Sequence, residues 1–134
     1  MPRIIEDDWK YQLYNEDCFE TFKRIPDGSI DLVLVDPPYG TTACKWDSVI
    51  PLEPMWEQLK RITKPNAAIV LFGSEPFTSV LVTSNLKSFK YRMDWNKKIP
   101  SGMSYARFRP MQQTEDIVVF TANGERSFYN RQKS

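Results

Sequence analysis

The run Ile30-Asp31-Leu32-Val33-Leu34-Val35, followed at once by Asp36-Pro37-Pro38-Tyr39, constrains this chain more than any other stretch. A leucine- and valine-rich run of that length, bounded by turn residues, reads as a strand buried on both faces. Such strands belong to open α/β sheets, in which ligands bind outside the carboxyl ends of the strands. Asp36 falls on that edge, with two φ-locked prolines and an aromatic ring directly behind it.

These residue types suit chemistry on an exocyclic aromatic amine. The nitrogen lone pair of adenine N6 or cytosine N4 is delocalised into the ring, so a catalyst must draw the amine toward tetrahedral geometry by accepting its hydrogens. The Asp36 carboxylate can accept one, and the Pro37 carbonyl, held in place by the two prolines, can accept the other. Tyr39 offers a stacking face of the kind that holds a base extruded from the helix. An ordinary Asp-Pro-Pro turn that ends a strand, with Tyr39 packed on the core, accounts for the tetrapeptide equally well.

The flanking pattern narrows the choice. Tyr11 to Asn15 alternates as a strand, Glu16 to Phe22 is an amphipathic helix, and Pro26-Asp27-Gly28 is a turn leading into the Ile30 run. Beyond Tyr39, the spacing predicts a helix from about Glu53 to Thr63, a turn at Lys64-Pro65-Asn66-Ala67 and a buried strand from Ala68 to Phe72. Ser74-Glu75-Pro76 opens a further helix with Pro76 in its first turn. Strands over Ser88 to Asn96 and Thr114 to Thr121 follow, the latter closed by a tight turn at Ala122-Asn123-Gly124-Glu125. Trp46 and Trp56 are expected to pack helix against sheet.

With these elements in order, the chain resembles the β-class amino-methyltransferases that transfer a methyl group from S-adenosylmethionine to adenine N6 or cytosine N4 in DNA. The residues that carry the resemblance are Asn15-Glu16-Asp17-Cys18, Pro26-Asp27-Gly28-Ser29, Asp36 to Gly40, Arg61 to Asn66, and Glu115-Asp116-Ile117-Val118-Val119-Phe120. It runs from about Trp9 to Tyr129 and is nearest to methylases often carried by phages and prophages. The resemblance implies an α/β, Rossmann-like, S-adenosylmethionine-dependent methyltransferase fold. It places Asp36, Pro37, Pro38 and Tyr39 at catalytic and base-stacking positions, and Asp17 and Cys18 along the adenosine of the cofactor. It also implies DNA as partner, adenine as the preferred target, no metal, and a bacterial cytoplasm. Asp17 has a second reading, as an ordinary helix N-cap.

Members of this class also carry a Phe-x-Gly-x-Gly loop that binds the methionine part of the cofactor. The five glycines here, Gly28, Gly40, Gly73, Gly102 and Gly124, are scattered, and no Gly-x-Gly occurs. The expectation is therefore a single truncated domain over residues 1–134, with the catalytic-motif half present and the glycine-loop half and target-recognition region absent. In the family's sheet, two strands of the absent half lie between the Tyr11 strand and the Asp36 strand. Without them these two strands are expected to close directly in a right-handed βαβ unit, giving a mixed sheet of about five strands with flanking helices, unless another polypeptide supplies the piece.

Composition removes whole classes of chemistry. With no histidine, Ser-His-Asp and Cys-His catalysis and His-ligated metals are excluded, whereas a mechanism built on one carboxylate and fixed dipoles is not. Cys18 and Cys44 form no Cys-x-x-Cys pair and are expected as free thiols. At 134 residues and 41% hydrophobic content, one core is expected, with no membrane span and a soluble, intracellular setting.

The net charge of +1 is uninformative, but the charges are unevenly placed. Between Lys87 and Arg109, Asp94 is the only acid among seven cations, interleaved with Phe89, Tyr91, Trp95, Tyr105 and Phe108. Strand alternation would put Phe89, Tyr91, Met93 and Trp95 inside and leave the charges in water. The loop from Lys98 to Met111 remains a candidate DNA contact, with Lys97, Lys98, Arg107 and Arg109 as the nucleic-acid-binding residues.

Two functional classes stand open at this point. One is an enzyme or enzyme subunit, a DNA amino-methyltransferase completed by a second subunit or a homodimer. The other is a non-catalytic, phage-type protein that uses the methylase scaffold to bind DNA or to block a host defence complex.

Overall fold

The computed structural model describes residues 4–7, 11–40, 48–101, 106–108 and 110–133. In chain order the elements are β1 (Ile4–Asp7), β2 (Gln12–Tyr14), α1 (Cys18–Phe22), β3 (Ile30–Val35), α2 (Leu52–Ile62), β4 (Thr63–Gly73), α3 (Phe77–Ser84), a 3₁₀ turn at Leu86–Ser88, β5 (Phe89–Ser101) and β6 (Gln112–Thr121). This is the α/β class with a mixed sheet that the sequence implied. The main sheet has four strands in the order β3-β4-β6-β5, with β3 and β4 parallel and the other pairs antiparallel.

Register assigns the side chains to two faces. Val33 pairs with Ile69, which pairs with Phe120, and Leu71 pairs with Val118, so these residues share one face. All three helices pack there. In α2 the buried residues Met55, Trp56, Leu59 and Ile62 fall at helical spacing, and each side chain contributes about 1.5–3 kcal/mol by leaving water. Trp56 packs edge-on against Phe120 at 4.6 Å between ring centroids, and its indole N–H donates to the Ser84 hydroxyl at 2.8 Å, tying α2 to α3 and to the sheet. Glu53 in the first turn of α2 and Lys60 and Arg61 in the last complement its dipole.

Arg61 fastens the preceding turn. Its guanidinium donates to the carbonyls of Phe22 at 2.7 Å and Ile25 at 2.9 Å and to Asp27 at 2.6 Å. Gly28 has φ +59 and its N–H donates to the Arg61 carbonyl, so the Pro26-Asp27-Gly28 turn forms as the sequence indicated.

Four expectations are corrected. The Tyr11 strand does not close against β3. It pairs antiparallel with β1 as a separate two-stranded sheet, because a neighbouring segment not recognised as a strand satisfies its backbone locally. β3 is not buried on both faces: Val33 is 7% exposed, but Leu32 and Leu34 are 57% and 64% exposed, since every described helix lies on the other side. The turn at Lys64 to Ala67 is carried inside β4 as an irregularity, the register passing from Ile30↔Thr63 to Leu32↔Ala68. In β5, Phe89 joins the core as expected, but Tyr91, Met93 and Trp95 are exposed, because they lie on the same uncovered face as Leu32 and Leu34. Trp46, Cys44, Gly102, Tyr105 and Arg109 lie outside the described residues.

Candidate active site

The chemistry-bearing residues gather at one edge of the main sheet. The parallel pair β3 and β4 ends there at Val35 and Gly73, and antiparallel β6 begins there at Gln112, so Asp36, Ser74 and Asp116 are brought together from three strands. Asp36 is exposed, Pro37 buried, and Pro38 and Tyr39 half-buried. The segment is thus anchored through its first proline while the carboxylate stays open to solvent.

Tyr39 is held from two directions. Its hydroxyl donates to Asp36 Oδ1 at 3.0 Å, and its ring stacks on Phe77 with centroids 5.2 Å apart and planes inclined by 19°. Phe77 is a core residue at the start of α3, 3% exposed, so it makes a rigid backing for the tyrosine. Burial, then the hydrogen bond to Asp36, then the negative charges of Asp36, Glu115 and Asp116, push the Tyr39 phenol above its ordinary value. Gly40 closes the segment at φ +74, and a Cβ there would meet Val49 Cγ2 at 2.7 Å, so only glycine fits both the backbone and the space.

A polar network that the sequence reading did not single out supports this edge. Asp116 accepts from the Thr78 hydroxyl at 2.6 Å and from Arg92 at 2.5 Å, and Arg92 also donates to Asp94 at 2.7 Å. Gly73 permits the contact: a Cβ at that position would lie 2.7 Å from Thr78 Oγ1. Gln112 donates to the Ser74 hydroxyl at 2.5 Å. Charge-assisted bonds of this kind fix the relation of β4, β5, β6 and α3 at this sheet edge. The available signal was the pair Glu115-Asp116 at the head of an alternating apolar strand, which the resemblance contained without a role.

The remaining candidate residues are dispersed. Asp17 is the N-cap of α1, accepting from the Phe19 N–H at 2.9 Å, so the capping reading describes what its carboxylate does here. Cys18 is an exposed free thiol, and burial followed by the charge of Asp17 raises its pKa, which does not favour the thiolate. Lys97 and Lys98 lie on β5 toward the same sheet edge as Asp36, but Lys97 is committed to Glu115 at 3.0 Å. Lys98 is exposed with φ +66, and Arg107 is exposed in a turn. No group of three metal-ligating side chains occurs among the described residues, and no described helix is long and apolar enough to cross a membrane.

Comparison with known proteins decides the family. A model of the N6 and N4 enzymes, described as DNA methylase, matches residues 30–134. The chain belongs to this DNA methylase family. The family's type II methyltransferase M1.MboII of Moraxella bovis is 23% identical over 129 residues, 87% of this chain and 48% of that protein. Type II methyltransferase M.BamHI of Bacillus amyloliquefaciens is 50% identical over a 29-residue stretch. Among solved structures, M1.HpyAVI superposes with a TM-score of 0.66 at 23% identity, covering 90% of this chain and 60% of that one. Its SAM complex gives 0.63 at 22%, covering 88% and 58%. The cytosine-N4-specific PvuII DNA methyltransferase gives 0.62 at 15%, covering 86% and 50%. The chain thus shares the methylase fold and spans about half the length of the curated DNA methylase M1.MboII. These matches are to methyltransferases and lend no support to the non-catalytic class.

Proposed function

We propose that this chain forms the target-amine side of an S-adenosylmethionine-dependent DNA amino-methyltransferase. The observation that carries the proposal is the joint fixation of Asp36 and Tyr39: the carboxylate stands open at the strand end while the ring beside it is backed by Phe77 and oriented by its own hydrogen bond to Asp36. An extruded adenine or cytosine stacked on the free side of Tyr39 would present its amino hydrogens to Asp36 and to the Pro37 carbonyl, with no reorganisation of the segment required. Lys98 and Arg107, on the flanking strand and turn, would meet phosphates.

S-adenosylmethionine supplies the methyl group in such enzymes, and the fit of the described residues to it is partial. Asp17 is engaged as a helix cap, Cys18 faces solvent, and no Gly-x-Gly segment allows close backbone approach. The described residues therefore do not wall a donor site. A donor site complete within this chain would stabilise the fold by about 2.7 kcal/mol at one hundred times the dissociation constant. We expect no shift in melting temperature with about 1 mM S-adenosylmethionine, a concentration at which a site of ordinary affinity would be saturated.

The target side is tested with a pool of DNA duplexes carrying 2-aminopurine between randomised flanks. The expected result is a fluorescence change with the wild-type chain that is lost in Tyr39→Ala and survives in Asp36→Ala. No change with the wild type, or a change that persists in Tyr39→Ala, overturns the reading.

A further inference from the structure

The ring of Tyr39 rests on Phe77, the first residue of α3, so its angle depends on how the start of that helix is held. Pro76 supplies no capping side chain there. The hold comes from the residue after Phe77. Thr78 is 4% exposed, and its hydroxyl donates to Asp116 Oδ2 at 2.6 Å, while Oδ1 of the same carboxylate accepts from Arg92 at 2.5 Å. One oxygen of Asp116 is thus engaged by the helix and the other by β5. In the sheet, Asp116 stands between Gly73 of β4 and Asp94 of β5. Gly73 leaves the path open: its backbone is not left-handed, so the missing side chain serves space, and a Cβ would lie 2.7 Å from the Thr78 hydroxyl.

We propose that Thr78 and Asp116 are positioning residues that act through Phe77 to set the plane of Tyr39 on which a base stacks, a role that rests on the stacking function given to Tyr39 above. Three observations separate positioning from simple cohesion. First, a carboxylate whose side chain is only 13% exposed carries a desolvation cost that an apolar contact would avoid. Second, the bond has direction. A hydroxyl held to one carboxylate oxygen restrains the rotation of α3 about its axis as well as its distance from β6, and that rotation would tilt Phe77 against Tyr39, whose ring planes differ by 19°. Cohesion of α3 has its own contacts further along, where Leu81 is fully buried and the Ser84 hydroxyl accepts from the Trp56 indole. Third, the charge of Asp116 is among those that disfavour the Tyr39 phenolate, so the carboxylate and the ring share one neighbourhood.

Nuclear magnetic resonance with selectively labelled tyrosine reads the Tyr39 ring directly, its resonances being assigned by their loss in Tyr39→Phe. The ring current of Phe77 displaces them, and Phe77→Leu, which removes that ring and refills its space, marks the unstacked position. Thr78→Val is expected to move them at least halfway to that position. Thr78→Ser, which keeps the hydroxyl, is expected to return them, and Ser84→Ala, which loosens the far end of α3, to leave them in place. Toward the 2-aminopurine duplex pool, Thr78→Val is expected to bind about fivefold more weakly than wild type and Thr78→Ser within about twofold, since stacking on a fixed ring contributes a factor of about five or more. Tyr39 resonances that stay put in Thr78→Val, or that move as far in Ser84→Ala, overturn the proposal. So does a shifted ring with unchanged affinity for the pool. A wild type that gives no response to the pool strikes the stacking function instead, and the ring resonances then decide the positioning alone. If circular dichroism shows Thr78→Val unfolded, Asp116→Asn takes its place, because an amide keeps one acceptor oxygen where the carboxylate has two. It is expected to shift the ring in the same direction, and an unmoved ring overturns the proposal.

Discussion

The two faces of the main sheet are built from alternate residues of the same strands, yet they meet different surroundings. On one, Val33, Ile69, Leu71 and Phe120 are 0–7% exposed beneath α2 and α3. On the other, Leu32 and Leu34 are more than half exposed, one residue away along the same strand. Both faces of β3 carry aliphatic side chains, so hydrophobicity alone does not decide burial. What decides it is where the connecting helices land, and every described helix lands on one side. The covered face stabilises the fold and sets the candidate-site edge, while the other face presents Leu32 and Leu34 where no described helix lies.

The largest effect should come from the covered face. Phe120 is fully buried and touches both Trp56 and Phe89, so Phe120→Ala is expected to cost about 3–5 kcal/mol in urea unfolding. A cost below about 1 kcal/mol would break the assignment of this face as the core. Next is the polar network below Tyr39. Thr78→Val keeps the shape but deprives Asp116 of a donor in a half-buried setting, and should cost about 1–3 kcal/mol. Asp116→Asn in the Thr78→Val background should then cost less than in the wild type, because the two groups act as a unit.

Much of this was legible beforehand, for identifiable reasons. α2 has strong helical periodicity, so its bounds of Leu52–Ile62 fall within a residue of those read from spacing. The position of Asp36 to Tyr39 at a strand end was legible because the apolar run before it marks a strand and the prolines leave few backbone choices. The bare face was not, since Leu32 and Leu34 have the pattern of a doubly buried strand and nothing in their composition reports whether a covering layer exists. Nor was the β1–β2 pairing, because Ile4-Ile5-Glu6-Asp7 is too short and acidic to signal a strand. Phe77 and Thr78 were overlooked because their importance depends on where α3 docks, a tertiary fact.

Tyr39 links the covered face to the open site edge, and it gives the chain a signature at high pH. An unfolded tyrosine ionises near pH 10, whereas the folded phenol holds its proton to higher pH because burial and the nearby carboxylates disfavour the phenolate. The folded state thus binds more protons than the unfolded state above pH 10. Stability from this group is complete below pH 10 and declines as pH climbs toward the folded value. Tyr39→Phe should flatten that decline in unfolding free energy between about pH 10 and 11, beyond what the other tyrosines contribute. An identical slope in the two proteins would show that Tyr39 is not held against Asp36 in solution.

The smallest effect is expected on the bare face. Leu34→Ser removes an apolar side chain that is 64% exposed, so for the monomer at about 1 μM the loss should be within about 0.5 kcal/mol. A much larger cost at that dilution would mean that Leu34 is already covered by its own chain and that the contrast between the faces is wrong. Val33→Ser on the adjacent residue should instead be costly, because its side chain is buried under the helices. The pair of neighbours, one tolerant and one intolerant of a polar side chain, separates the face that the helices cover from the face they leave open.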